Sequence, residues 1–164
     1  MQRSNYLIIK KLLDWYDSNK RNLPWRCKTS SKIQDPYKVL ISEIMLQQTT
    51  VETVKKRYPD FIKLWPNISS LAKISEKEIL KFWSGLGYYN RAINLLKCAK
   101  IIKKQYNSEI PKTINDLTKL PGIGKYTSLA IQGIAFKQPV MPIDTNIERV
   151  ITRIFCMNKE VPLI

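Results

Sequence analysis

With 164 residues and 44% apolar content, the chain can bury one substantial core, which predicts a single domain. Its 28 Lys and Arg against 13 Asp and Glu leave a formal net charge of +15, which suits a polyanionic partner but equally a lysine-rich solvated surface. Histidine is absent, so acid–base chemistry falls to carboxylates, Tyr or Lys.

The first element is a helix with Leu7, Ile8, Leu12 and Trp15 on one face. The only continuous apolar stretch in residues 1–11, Leu7-Ile8-Ile9, is too short for a signal peptide. No apolar run in the chain approaches the roughly 18 residues of a membrane span, so a cytoplasmic location without membrane contact is expected. Leu23-Pro24-Trp25-Arg26 then offers a ring and a guanidinium suited to a flipped purine.

Asp35-Pro36 starts a second helix carrying Val39, Ile41 and Leu46, with Pro36 fitted to the first turn. Within it lies Ser42-Glu43-Ile44-Met45-Leu46-Gln47-Gln48-Thr49. A lone Glu is ordinarily a surface group. The neighbours of Glu43 are apolar or amide, and desolvation there would raise its pKa and make it a proton donor near neutrality. Gln47, Gln48 and Thr49 supply donors and acceptors of the kind that touch base edges.

Pro59 and Pro66 punctuate a middle segment, and Ser75-Glu76-Lys77-Glu78 reads as a cap with acidic first-turn residues. Gly85-Leu86-Gly87-Tyr88-Tyr89 reads either as helix-end packing or as a wedge, with Leu86 and Tyr88 prying into a base stack. Ala92, Leu95, Leu96, Ala99 and Ile102 form a core stripe.

Residues 113–120 and 125–136 flank Leu120-Pro121-Gly122-Ile123-Gly124-Lys125-Tyr126. Pro121 pre-sets the turn, and Gly122 and Gly124 permit positive φ and close backbone approach. The next helix then aims free N–H groups at an anion, the arrangement of a helix-hairpin-helix, although a plain helical connection uses the same residues. After the extended run Gln138-Pro139-Val140-Met141-Pro142-Ile143 comes Asp144-Thr145-Asn146. Asp144 is a natural N-cap, and near a bound phosphate its carboxylate could also stabilise a sugar cation. Ile147, Val150, Ile151, Ile154 and Phe155 give a last amphipathic helix, for an all-α domain of eight or nine helices whose apolar stripes are read as core. Cys27, Cys98 and Cys156 match no metal or redox spacing, so no metal site is expected. The chain stops at Val161-Pro162-Leu163-Ile164 without a polar closing segment, as a domain cut short would.

From about residue 21 to 155, these segments in this order resemble the adenine-specific mismatch DNA glycosylase (MutY) family of helix-hairpin-helix (HhH-GPD) glycosylases. The stretches 42–49 and 85–89 are the specific part; the hairpin and its trailing Asp place the chain only in the superfamily. The resemblance implies one catalytic domain over 1–164, with a six-helix barrel module and part of a second helical module. It implies excision of adenine opposite 8-oxoguanine or guanine in double-stranded DNA, with Glu43 protonating the adenine ring and later activating water. Asp144 would stabilise the sugar cation and Asn146 would support it. Gln48, Thr49, Leu86 and Tyr88 would fill the stack beside the opposing guanine; Arg21, Trp25, Arg26 and Leu46 would line the adenine pocket. Gly122, Gly124 and Lys125 would hold phosphate.

Strand-cutting relatives in the superfamily place a lysine nucleophile two residues after the second hairpin glycine. Here that place is Tyr126, which implies base release without strand cleavage. Two departures stand out. The family continues into a four-cysteine [4Fe-4S] segment and a guanine-checking domain, so this chain should hold no cluster, and the apolar face of its first helix should lie open. Thr145 replaces the usual Gly after the Asp. A monomer, or one half of a split enzyme, follows; the alternatives are a thymine-mismatch glycosylase and a DNA-binding fragment without catalysis.

Overall fold

The computed structural model describes residues 2–26 and 34–157, with side chains from residue 6 onward. Nine helices are formed among the described residues, and no strand. In chain order they are α1 (Gln2–Asn19), α2 (Pro36–Leu46), α3 (Val51–Leu64), α4 (Ile68–Leu71), α5 (Glu76–Trp83), α6 (Asn90–Gln105), α7 (Ile114–Thr118), α8 (Lys125–Ala135) and α9 (Thr145–Ile154).

Local chemistry sets the starts of these helices. Asp35 accepts a hydrogen bond from the Tyr37 N–H at 2.9 Å, and Pro36 occupies the first turn of α2, where its missing N–H costs nothing. Reciprocal capping boxes open α4, between Asn67 and Ser70, and α5, between Ser75 and Glu78.

Helix α2 is central, packing against α3, α6 and α8. Tyr37, Val39, Leu40, Ile41, Ser42, Ile44 and Met45 are all buried, the pattern of a helix enclosed on most sides. Around it Trp83, Phe61, Leu95, Leu96, Ile102, Leu117 and Ile131 are fully buried. Each such side chain contributes about 2 kcal/mol by leaving water. Phe61, Trp65 and Phe82 meet edge to face with centroids 4.8–5.4 Å apart, which locks α3 to α5.

Two sequence expectations need correction. Pro59 does not break the middle segment; it lies inside α3, because Val54, Tyr58 and Phe61 on either side of it are anchored in the core. The stripe of α9 is not core, whereas the apolar face of α1 lies open, as the resemblance implied. Leu12 and Trp15 are each 61% exposed, Leu7 and Ile8 are exposed, and α9 has no buried residue at all. Periodicity specifies a sticky face; it does not supply the surface that covers it. The closing residues 158–164 and Cys27 lie outside the described residues.

Candidate active site

Glu43 occupies the open side of α2, half-buried among apolar neighbours. Burial pushes its carboxyl up to about 7, and among the described residues no hydrogen bond offsets this. Near neutral pH a substantial fraction of Glu43 therefore carries a proton that it can donate.

A cleft of about 810 Å³ opens in front of it, lined by Glu43, Leu46, Gln48, Tyr88, Tyr126 and Asp144 and by Gln47, Tyr89, Asn90 and Arg91. Six sequence-predicted residues thus meet from four separate stretches of chain. Asp144 caps α9, accepting from the Ile147 N–H at 2.7 Å through one carboxylate oxygen, and lines the cleft. Tyr126, on the first turn of α8, is held above its ordinary pKa by desolvation and then by the charges of Glu43 and Asp144. Its phenol stays neutral between the two carboxyls.

A second cavity of about 730 Å³ shares Glu43 and Leu46 with the first and continues to Arg21, Trp25 and Arg26. Trp25 is fixed edge to face on Tyr58, with centroids 5.6 Å apart, and the Arg26 guanidinium lies over Tyr16. The acid therefore forms part of a wall between two cavities. Lys20 and Lys137 also line the second one, which no local motif signals.

Several expected residues are placed differently. Leu86 is only 4% exposed and belongs to the core, so its side chain is no wedge; Tyr88, 63% exposed, is the residue that projects. Thr49 is engaged inside the protein, donating to the Leu86 carbonyl at 3.2 Å and accepting from Arg91 at 2.8 Å. Gln47 turns away from the base-edge role towards the hairpin, its amide 3.3 Å from the Thr127 hydroxyl and 3.5 Å from the Gly122 carbonyl. Asn146 is exposed and accepts from Arg149 at 2.6 Å, outside both cavities.

The hairpin turn has one positive-φ glycine, not two. Gly122 sits at φ +81°, and a Cβ there would meet the Asn94 Cβ at 3.1 Å. Gly124 has φ −86° and open space before it, and it caps α8 without a side chain. The first-turn N–H groups of α8 therefore have no side-chain partner, and Lys125 beside them is exposed. Among the described residues only two ion pairs form, Lys20–Asp17 and Lys119–Asp116, which leaves most of the basic surface unneutralised.

Arg91 was not foreseen. One basic residue among 28, at the start of a helix, gives no sequence signal, yet it is buried. Its guanidinium donates to the carbonyls of Ile44 (3.2 Å), Met45 (3.0 Å) and Gln47 at the end of α2. It also donates to those of Leu86 (2.9 Å) and Gly87 (3.0 Å) in the glycine loop.

The described residues do not assemble a ligand set for an iron–sulfur cluster. Cys98 is buried in α6 with its thiol pushed up to about 12 by burial, and Cys156 is exposed beyond α9. Among the described residues no group of three His, Cys, Asp or Glu side chains could hold a metal, and no helix is long and apolar enough to cross a membrane.

Comparison with known proteins agrees with this geometry. Residues 41–162 match the model of the HhH-GPD superfamily base excision DNA repair proteins. The chain is 45% identical over 153 residues to an adenine DNA glycosylase of Buchnera aphidicola subsp. Baizongia pistaciae, covering 93% of this chain and 42% of that one. Against the human adenine DNA glycosylase the identity is 40%, covering 87% of this chain and 27% of that one. The chain thus spans less than half the length of both relatives. A thermostable thymine-DNA glycosylase superposes with a TM-score of 0.82 at 31% identity, covering 92% of this chain and 68% of that one. An endonuclease III–DNA complex shares the fold, with a TM-score of 0.78 at 23% identity, covering 98% and 72%. A chain that is all-helical among its described residues, that sets a half-buried acid in one cleft with Tyr126 and Asp144, and that matches the family model over most of its length belongs to the HhH-GPD superfamily of base excision DNA repair proteins.

Proposed function

We propose that this chain carries the catalytic module of an adenine DNA glycosylase that hydrolyses the N-glycosidic bond of adenine mispaired with 8-oxoguanine or guanine. The observation that carries the reading is the placement of Glu43, half-buried and with its carboxyl pushed up to about 7, in one cleft with Asp144. The names of its sequence relatives support adenine as the base.

Duplex DNA docks on the basic surface, with a phosphate at the uncapped start of α8 and at Lys125. Tyr88 and Gln48 face the opposing base, and the adenine swings towards Trp25, Arg26 and Arg21. Glu43 gives its proton to a ring nitrogen of adenine. The C1′–N9 bond breaks with its electron pair going to the purine, and the cationic sugar forms beside the Asp144 carboxylate. Water then adds to C1′ and returns a proton to Glu43, leaving free adenine and an abasic site. Tyr126 has no amine with which to form a Schiff base, so the strand stays intact. No step of this mechanism runs through a cluster.

The test is single-turnover release of adenine from an adenine:8-oxoguanine duplex. Wild type should release it, and Glu43→Gln and Asp144→Asn should not. A wild-type chain that binds the duplex but releases no base overturns the reading. The likeness to a thymine-DNA glycosylase favours one competitor, and a thymine:guanine duplex in the same assay separates the two.

A further inference from the structure

Two non-glycine residues at the cleft hold left-handed backbone: Gln48 at φ +54° and Tyr88 at φ +47°. Such residues are uncommon and strained, and they persist only where their surroundings over-determine them. Both are exposed and both line the cleft. They lie 40 residues apart, at the end of α2 and in the glycine loop.

The residue immediately before each is Gln47 or Gly87, and the carbonyls of both accept from the same guanidinium, that of Arg91. One nitrogen, Nη1, takes the carbonyls at the end of α2, and the other, Nη2, takes the glycine loop and the Thr49 hydroxyl. The fork thus spans both turns at once, and a single ammonium cannot reproduce that geometry. The Arg91 side chain also lies over the Trp83 and Tyr88 rings, 5.5 and 5.7 Å from their centroids. Its pKa is lowered, by desolvation first, so burying this charge has a cost that the carbonyl ligands offset.

We infer that Arg91 is a positioning residue that holds Gln48 and Tyr88 in their left-handed turns, and so keeps the two side chains that meet the opposing base in register with the helix bearing Glu43. This rests on the glycosylase reading for its kinetic consequence, but not for its binding consequence. Truncating Tyr88 should therefore matter only while Arg91 is in place.

The experiment is a double-mutant cycle of Arg91→Lys and Tyr88→Ala. It is read as affinity for a duplex carrying a tetrahydrofuran abasic analogue opposite 8-oxoguanine, and as the single-turnover rate on adenine:8-oxoguanine. With helical circular dichroism retained, each single variant should weaken binding about tenfold, and the double variant should be no weaker than Arg91→Lys alone. The pH midpoint of the rate should stay near 7, because Glu43 is untouched. Factors that multiply in the double variant overturn the inference, as does Arg91→Lys binding like wild type. Should Arg91→Lys fail to fold, Thr49→Val takes its place in the cycle, removing one ligand of the same fork. A wild-type chain that binds but releases no adenine overturns the enzymatic reading, and the affinity cycle still decides the role of Arg91.

Discussion

Replacing Glu43 by Gln should abolish base release and at the same time stabilise the protein. In the unfolded chain the carboxyl titrates near its ordinary 4.5; in the fold burial lifts it to about 7. Between those values the folded state binds more protons than the unfolded state, so stability falls as pH rises from about 4.5 to about 7 and is level beyond. At about 1.4 kcal/mol per pKa unit, the loss reaches roughly 3 kcal/mol. Glu43→Gln keeps shape and polarity but removes that cost. Thermal melts of the two proteins should coincide near pH 4 and separate by several degrees near pH 8, at about 2–4 °C per kcal/mol for a domain of this size. Over the same range the wild-type rate should fall about tenfold per pH unit above 7 as the acid form is depleted. Equal melting temperatures near pH 8, or a rate that stays flat from about pH 6 to 9, would refute a desolvated acid at this position.

At Asp144 two substitutions separate chemistry from capping. Asp144→Asn retains a capping oxygen and should lose base release with unchanged thermal stability, whereas Asp144→Ala should lose about 1 kcal/mol in denaturant melts as well. In the hairpin, Gly122→Ala should destabilise the fold by about 1 kcal/mol or more, since φ is +81° and Asn94 stands in the way. Gly124→Ala meets no such obstacle, so melts should show it folded while titrations show weaker duplex binding. Lys125→Ala should lower the slope of log affinity against log salt by about 1 in fluorescence titrations, uniformly across duplex sequences.

How much of this site the sequence disclosed depended on how local each signal was. The environment of Glu43 is written into its immediate neighbours, because one helix buried on nearly every side leaves its acid next to apolar residues whatever surrounds it. Asp144 and Pro36 follow from capping rules that act over three residues. The failures are questions of direction. Gln47 and Gln48 are adjacent and chemically identical and both line the cleft, but the amide of Gln47 is tied to the hairpin whereas Gln48 stands exposed on left-handed backbone. Leu86 and Tyr88 are likewise separated by a glycine at φ +71°, which sends one side chain into the core and the other outward. Arg91 was hidden for another reason: its partners are backbone carbonyls, and a carbonyl leaves no mark on residue identity. Pro59 shows packing overriding propensity within a helix.

The two carboxylates of the site are anchored very unequally. Glu43 rides on the most enclosed helix of the fold, whereas Asp144 starts a helix with no buried residue. Amides of α2 should therefore exchange with solvent only on global unfolding, and those of α9 by local opening at much lower cost. Catalytic competence then becomes a matter of population. On the glycosylase reading, the rate should equal the intrinsic rate multiplied by the fraction of molecules in which α9 is seated. Anything that covers its apolar side raises that fraction, and would speed base removal without touching a reacting atom.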